Sequence, residues 1–327
     1  MTFEVPYLEK HRPKYLDDIL AQDGIVSSVR NMMTNINEFP HVLCSGPPGI
    51  GKTTLVEAFA REVYKEFGEE AWDDIVCQVN ASEERKMETV RERIMIYCRT
   101  ATPRYDVTRK MVILEEFDYF LKPSQGALRR PMEQYATNVI FVITCNYPRR
   151  IISPIRSRCV PFAFKKPKPE HIAEYLSRVA TKESIVIEKP ALDLLANNAY
   201  GDFRPALLAM QSSIQEVGDK RIVLAQRVLE VHNFLTEESV ENIMELVLTK
   251  KLKEASELTE QYLASGVSSE MILSSLYNVV RKRELFLDEK KGPPMLREFV
   301  EAAKYVENTA IPEAIFDSLY VSIGQLG

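Results

Sequence analysis

Between residues 40 and 165, short apolar runs alternate with stretches of helical periodicity. Val42–Ser45, Ile75–Val79, Met111–Leu114, Val139–Thr144 and Cys159–Phe164 read as strands, and 51–67, 84–100 and 124–136 read as helices between the first four. Short strands separated by helices of this length predict right-handed βαβ units and a parallel sheet. Runs without polar interruption, such as Met-Val-Ile-Leu at 111–114, fit strands covered on both faces. Residues 1–165 are therefore expected to form an α/β domain.

Beyond this point the strand signals fade. Lys165-Lys-Pro-Lys-Pro169 reads as a basic hinge, with Pro169 suited to the first turn of the next helix. Residues 170–181, 190–199 and 204–217 predict a small helical domain over 166–232, with Gly201-Asp202 as a break before its last helix. A second helical domain is expected over 233–327. Its pieces are Glu237–Thr249, Leu252–Ala264, Ser269–Glu284, Met295–Glu307 and Pro312–Gly324, broken at Gly266 and at Gly292-Pro-Pro294.

A length of 327 residues fits two or three domains. No apolar run is long enough to predict a transmembrane helix, and the first ten residues lack the basic and apolar regions of a secretory signal. Cysteines at 44, 77, 98, 145 and 159 include no CxxC pair, and His11, His41, His171 and His232 are scattered. Neither set predicts a zinc site, and Cys44 and Cys77 are expected to pack as small hydrophobes. The net charge of −5 speaks against nucleic acid until its distribution is considered. Between Ala81 and Lys168 there are 18 Lys and Arg against 9 Asp and Glu. Such segregation can mark a basic binding surface or solvated helix faces.

The chemistry concentrates after the first strand. Gly46-Pro-Pro-Gly-Ile-Gly-Lys-Thr53 matches GxxxxGK[ST] between a strand and a helix. In that context the backbone N–H groups and the helix N-terminus cradle phosphate, so the chain is expected to bind a nucleoside triphosphate. Lys52 would reach the outer phosphates and is expected outside the core, while the Thr53 hydroxyl would ligate Mg²⁺. The run Met111-Val-Ile-Leu-Glu-Glu-Phe-Asp118 is a strand ending in acids. Glu116 would polarise the attacking water, and Glu115 would hold Mg²⁺ directly or through a water. Asn146, after the strand Val142-Ile-Thr-Cys, would orient that water or sense the γ-phosphate.

Glu9-Lys-His-Arg-Pro-Lys14, the glycine loop, Asn80-Ala-Ser-Glu-Glu-Arg85, Leu114-Glu-Glu-Phe-Asp118, Ala127-Leu-Arg-Arg130, Cys145-Asn-Tyr147, Ser157-Arg-Cys159 and Gly201-Asp-Phe-Arg204 occur in this order. Together they resemble the small subunits of replication factor C, with the similarity dense from about residue 5 to 210. The resemblance implies an AAA+ P-loop ATP-binding domain with a parallel sheet over 1–165, a helical lid over 166–232 and an all-helical collar over 233–327 that assembles subunits into a pentameric ring. Implied partners are other small subunits, a large subunit, a sliding clamp and primer–template DNA, with no membrane. The implied work is ATP-driven opening and loading of the clamp, in the cytoplasm of an archaeon or the nucleus of a eukaryote.

Carried over by motif, Arg12 and Pro13 would lie near the adenine. Gly46, Pro47, Pro48, Gly49, Ile50, Gly51, Lys52, Thr53 and Thr54 would surround the phosphates, with Mg²⁺ at Thr53 and Glu115. Arg158 would act in trans on the neighbouring subunit's γ-phosphate, and Arg204 would contact phosphates in its own subunit. The helix at 84–100 and a short helix opened by Tyr147-Pro-Arg-Arg-Ile-Ile152 would track DNA phosphates through Arg85, Lys86, Arg91, Arg93 and Arg150. The sequence departs from the family pattern at Glu115 (usually Asp), Glu83 (usually Asp), Lys86 (usually Gly), Pro205 (often Arg) and Ala21 (usually Gly). Glu115 leaves open an alternative, a mainly structural subunit that binds ATP and hydrolyses it weakly. A related branch-migration motor is disfavoured by the Ser-Arg-Cys sequence and by a helical C-terminal region where a winged helix would be expected. No Qxx-apolar-xx-aromatic-aromatic box ends the sequence, so clamp contact is expected to be internal or left to a partner.

Overall fold

A computed structural model describes residues 6–83, 87–100, 105–232, 234–306 and 309–326. The chain divides into two compact units, Met1–Ile185 with Ala199–Gln211, and Val186–Asn198 with Ser212–Gly327.

In the first unit five strands form one sheet: β1 (His41–Ser45), β2 (Val76–Asn80), β3 (Lys110–Glu115), β4 (Val139–Cys145) and β5 (Cys159–Ala163). Their order is β2–β3–β4–β1–β5, and every neighbouring pair is parallel. The apolar runs place these strands because side chains alternate between two covered faces. Met111 and Ile113 join Phe39, Leu55, Phe59 and Val142 on one side. Val112 and Leu114 join Leu43, Ile94, Leu128 and Phe141 on the other. Helices Lys52–Val63, Met87–Arg99 and Lys122–Gln134 supply the covering layers. Because β1 lies between β4 and β5, the chain's direction of progress across the sheet reverses beside it, and a crevice at the carboxyl ends of such strands is a general ligand position. Helices Pro169–Lys182 and Phe203–Ser212 complete this unit, the first opening on Pro169 as its sequence predicts.

The second unit corrects two expectations. Three short strands, β6 (Ile185–Ile187), β7 (Gln215–Val217) and β8 (Lys220–Val223), form a sheet of order β6–β8–β7 where only helices are expected. The helix expected to reach residue 217 therefore stops at Ser212, and β7 and β8 pair antiparallel around Gly218-Asp219. Gly292-Pro-Pro294 does not separate helices either. It forms the first turn of helix Gly292–Tyr305, where missing proline N–H groups cost no intrahelical bond.

The other helices expected here, Glu237–Leu248, Leu252–Ala264, Ser269–Lys282 and Pro312–Leu326, pack around Ile243, Val247, Leu276, Val280, Phe316 and Ile323. Thr236 and Ser268 cap two of them, each hydroxyl accepting an N–H three residues on. No described helix is long and apolar enough to cross a membrane. All five cysteines are buried free thiols, and burial pushes Cys44 and Cys145 up to about 12.

Candidate functional site

The glycine loop leaves β1 and passes into helix Lys52–Val63 through Gly51, whose φ of +88° lies in the left-handed region that a side chain would strain. Gly49 is constrained by space as well as by its φ of +71°. A Cβ there would sit 1.8 Å from Asp202 Oδ2, and the Phe203 N–H donates to the Gly49 carbonyl at 3.3 Å. The start of helix Phe203–Ser212 thus rests directly on the phosphate loop.

Lys52 corrects its expected placement, since only 8% of it is exposed. Its ammonium donates to the carbonyls of Gly46 at 2.8 Å and Pro47 at 2.6 Å, and to Asn146 Oδ1 at 2.8 Å. Burial lowers its pKa, and the positive charge of Arg204 adds to that, while Asp118 opposes it. These hydrogen bonds tie the end of β4 to the loop after β1.

At the end of β3, Glu115 Oε2 accepts a hydrogen bond from the Thr53 hydroxyl at 2.8 Å. Glu115 Oε1 accepts from Gln78 Nε2. Glu116 follows in a left-handed conformation at φ +50°, its N–H donating to Thr144 Oγ1 at 3.3 Å. A non-glycine residue held there costs on the order of 1–3 kcal/mol and persists only where its surroundings fix it. Asp118, 5% exposed, accepts the N–H groups of Asn146 at 3.2 Å and Tyr147 at 3.0 Å, one on each carboxylate oxygen.

These groups border a cavity of about 370 Å³. Arg12, Pro13, Pro48, Gly49, Ile50, Gly51, Lys52, Thr53, Thr54, Glu116, Asn146 and Arg204 all line it, together with Ile19, Tyr175 and Phe203. Gly46, Pro47 and Glu115 do not line it; the first two hold Lys52 through their carbonyls, and Glu115 accepts from Thr53. The volume and the mixed apolar and charged lining suit a nucleotide. The carboxylates and hydroxyl near Thr53 are the hard oxygen donors that Mg²⁺ prefers.

Other expected site residues lie elsewhere. Arg158 does not line the cavity; it pairs with Glu133 on helix Lys122–Gln134 and donates to the Pro154 carbonyl. Arg91 and Arg93 are exposed on helix Met87–Arg99, and Arg150 is exposed over the Tyr147 ring at 4.5 Å. The expected short helix is a three-residue 3-10 turn, Pro148–Arg150, followed by a four-residue helix, Ser153–Arg156. Arg85 and Lys86 lie outside the described residues. Ala21, where the family usually has glycine, adopts φ +64°.

Sequence reasoning missed Asp118, Asp202, Glu57 and Gln78. Gln78 carried a signal, an amide set between the apolar residues Val76, Cys77 and Val79 in the strand beside β3. Glu57 carried another, lying one helical turn after Thr53 on the same face.

Residues 42–166 match the family model described as ATPase family associated with various cellular activities (AAA). The replication factor C small subunit of Archaeoglobus fulgidus is 35% identical over 280 residues, 85% of this chain and 85% of that protein. The chain belongs to the replication factor C small-subunit family. The family's protein from Methanocella arvoryzae is 34% identical over 86% of this chain and 85% of its own length. Among solved structures, the Thermotoga maritima RuvB Holliday junction branch migration motor aligns with a TM-score of 0.57 at 18% identity, covering 76% of this chain and 84% of that one. At that identity the likeness carries the AAA+ fold and no function.

Proposed function

We propose that this replication factor C small subunit is an ATP-hydrolysing subunit of a clamp loader that opens a sliding clamp and places it on primer–template DNA. The observation that carries the reading is the meeting of Lys52, the Thr53–Glu115 pair, Glu116 and Asn146 at the carboxyl ends of three adjacent strands, β1, β4 and β3. The division into a nucleotide-binding domain (1–165), lid (166–232) and ring-forming collar (233–327) belongs to the same proposal. So do a pentameric ring with a large subunit and action in the cytoplasm, as suits archaeal relatives.

In this reading Arg12 and Pro13 border the adenine, and the loop from Gly46 to Thr54 wraps the phosphates. Mg²⁺, held by Thr53 and by Glu115 directly or through a water, would neutralise charge on the β- and γ-phosphate oxygens. Lys52 exchanges its carbonyl partners for phosphate oxygens, which accept more strongly because they are charged. Glu116 orients the attacking water and takes its proton, with Asn146 fixing the water's position. Arg204 adds positive charge from within the subunit. Arg158 of each subunit supplies charge to the next subunit's site, so hydrolysis waits for assembly. Arg91, Arg93 and Arg150, with Arg85 and Lys86, contact DNA phosphates and leave the bases unread.

The deciding experiment is steady-state ATP hydrolysis by the assembled loader, alone and with clamp and primed DNA. Hydrolysis that rises when both are added supports the reading. ATP binding without measurable turnover under any of these conditions would favour the structural-subunit alternative.

A further inference from the structure

Gln78 sits in the middle of β2, with its backbone in register with Ile113 of β3. Its amide nitrogen lies within hydrogen-bond reach of two carboxylates, Glu115 Oε1 and, at 3.2 Å, Glu57 Oε1. The remaining oxygen of each is also engaged. Glu115 Oε2 accepts from Thr53 Oγ1 at 2.8 Å, and Glu57 Oε2 lies 3.4 Å from Arg12 Nη1. A polar chain therefore runs Arg12–Glu57–Gln78–Glu115–Thr53. Its two ends line the cavity, and its three middle members do not.

The residue type at 78 suits this place. A side-chain NH₂ has two hydrogens and can serve both acceptors at once. It also separates two acids that would otherwise face each other. A carboxylate at 78 would put three acids together, and an apolar side chain would leave Glu115 Oε1 without its donor. Glu115 has one more methylene than aspartate, and hence one more torsion to fix, so an anchor on its far oxygen matters more than it would for the shorter acid.

We propose that Gln78 is a positioning residue that holds the Glu115 carboxylate turned toward Thr53 and ties it to Arg12, so that the Mg²⁺-dependent part of ATP binding depends on a side chain outside the cavity. This rests on the reading of the cavity as a Mg²⁺–nucleotide site. Partners that orient metal-directed carboxylates commonly govern affinity by about 10- to 100-fold.

The test is titration of the full chain with ATP, with excess Mg²⁺ and with EDTA, for the parent, Gln78→Met, Glu115→Ala and the double variant. Methionine keeps the length of glutamine and removes the donor. Metal-free affinity of Gln78→Met is expected to stay within about twofold of the parent, while the gain on adding Mg²⁺ shrinks by about tenfold or more. Adding Gln78→Met to Glu115→Ala should cost nothing further, a non-additivity that a general packing role would not produce. A full Mg²⁺ gain in Gln78→Met, or losses that simply add, overturns the positioning role. Gln78→Leu is measured beside it, and failure of both variants to fold would equally overturn it, as the mark of a structural residue. Failure of the parent to bind ATP at all would instead sink the nucleotide reading, and the first titration shows which has failed.

Discussion

Arg158 closes on Glu133 of its own chain: its Nε donates to Glu133 Oε1 at 3.0 Å and a second guanidinium nitrogen bonds the same oxygen. That pairing holds the Glu133 carboxyl below its usual range. Under the proposed trans role, Arg158 would be parked on an exposed acid, in a surface pairing weak enough to exchange for phosphate.

Arg158→Ala is accordingly expected to leave ATP binding by its own cavity nearly unchanged, because the side chain does not line it. Hydrolysis by the assembled ring should fall by roughly 10³–10⁵, the worth of an arginine finger. Glu133→Gln should leave ring turnover intact or raise it, since it removes only the parking site. Single-turnover hydrolysis in both variants checks the pair, and wild-type turnover in the Arg158→Ala ring would remove the trans role.

Lys52→Ala should abolish measurable ATP binding while the chain still folds. Removing the ammonium forfeits three hydrogen bonds but also relieves the burial of a charge, so stability is expected to move by no more than about 2 kcal/mol. Calorimetric titration with ATP and urea unfolding test the two halves separately. Retained affinity would show that the lysine is structural.

Asp118→Asn should lower turnover far more than ATP affinity. Each oxygen of Asp118 takes one N–H, and an amide can accept only one of them, so the loop carrying Asn146 loses an anchor. Leaving such a group unpaired costs about 1–3 kcal/mol, which a shift in the urea midpoint would register. Unaltered kcat beside reduced stability would confine Asp118 to a structural role.

Charge reversal of Arg91, Arg93 and Arg150 to Glu should weaken DNA binding by the assembled loader without altering sequence preference. The slope of log affinity against log salt should flatten by roughly 1 for each DNA phosphate that is no longer neutralised. A slope that stays at its parental value would assign the exposed basic side chains to another surface.

The parallel sheet was legible because β3 and β4 are buried on both faces, which forces uninterrupted apolar runs in the sequence. β6, β7 and β8 were not, because three- and four-residue strands such as Gln-Glu-Val carry too little periodicity to stand out. The Gly218-Asp219 pair between β7 and β8 is a two-residue hairpin signal that could have revealed them. In the cavity, the glycine loop and Asn146 were readable from position after a strand. The burial of Lys52 was not, since it depends on an amide contributed by β4 and on carbonyls that carry no side-chain signature. Asp118 stood in plain view after the strand, but an acid beside two others gives no hint that it turns inward to hold backbone N–H groups.

Gly49 and Asp202 restrict one another's history. Any side chain at Gly49 would overlap the Asp202 carboxylate, so that change is closed for as long as the aspartate remains. Asp202 is freer to vary, but shortening it would withdraw the oxygen that accepts the Arg204 N–H and loosen the start of its helix. A lineage that gives up the aspartate first passes through a helix start less firmly placed against the loop, and still meets the left-handed φ at Gly49. Two positions distant in sequence should then be inherited as a pair, and exchanging the 199–211 segment between relatives should succeed only where the receiving loop keeps its glycine.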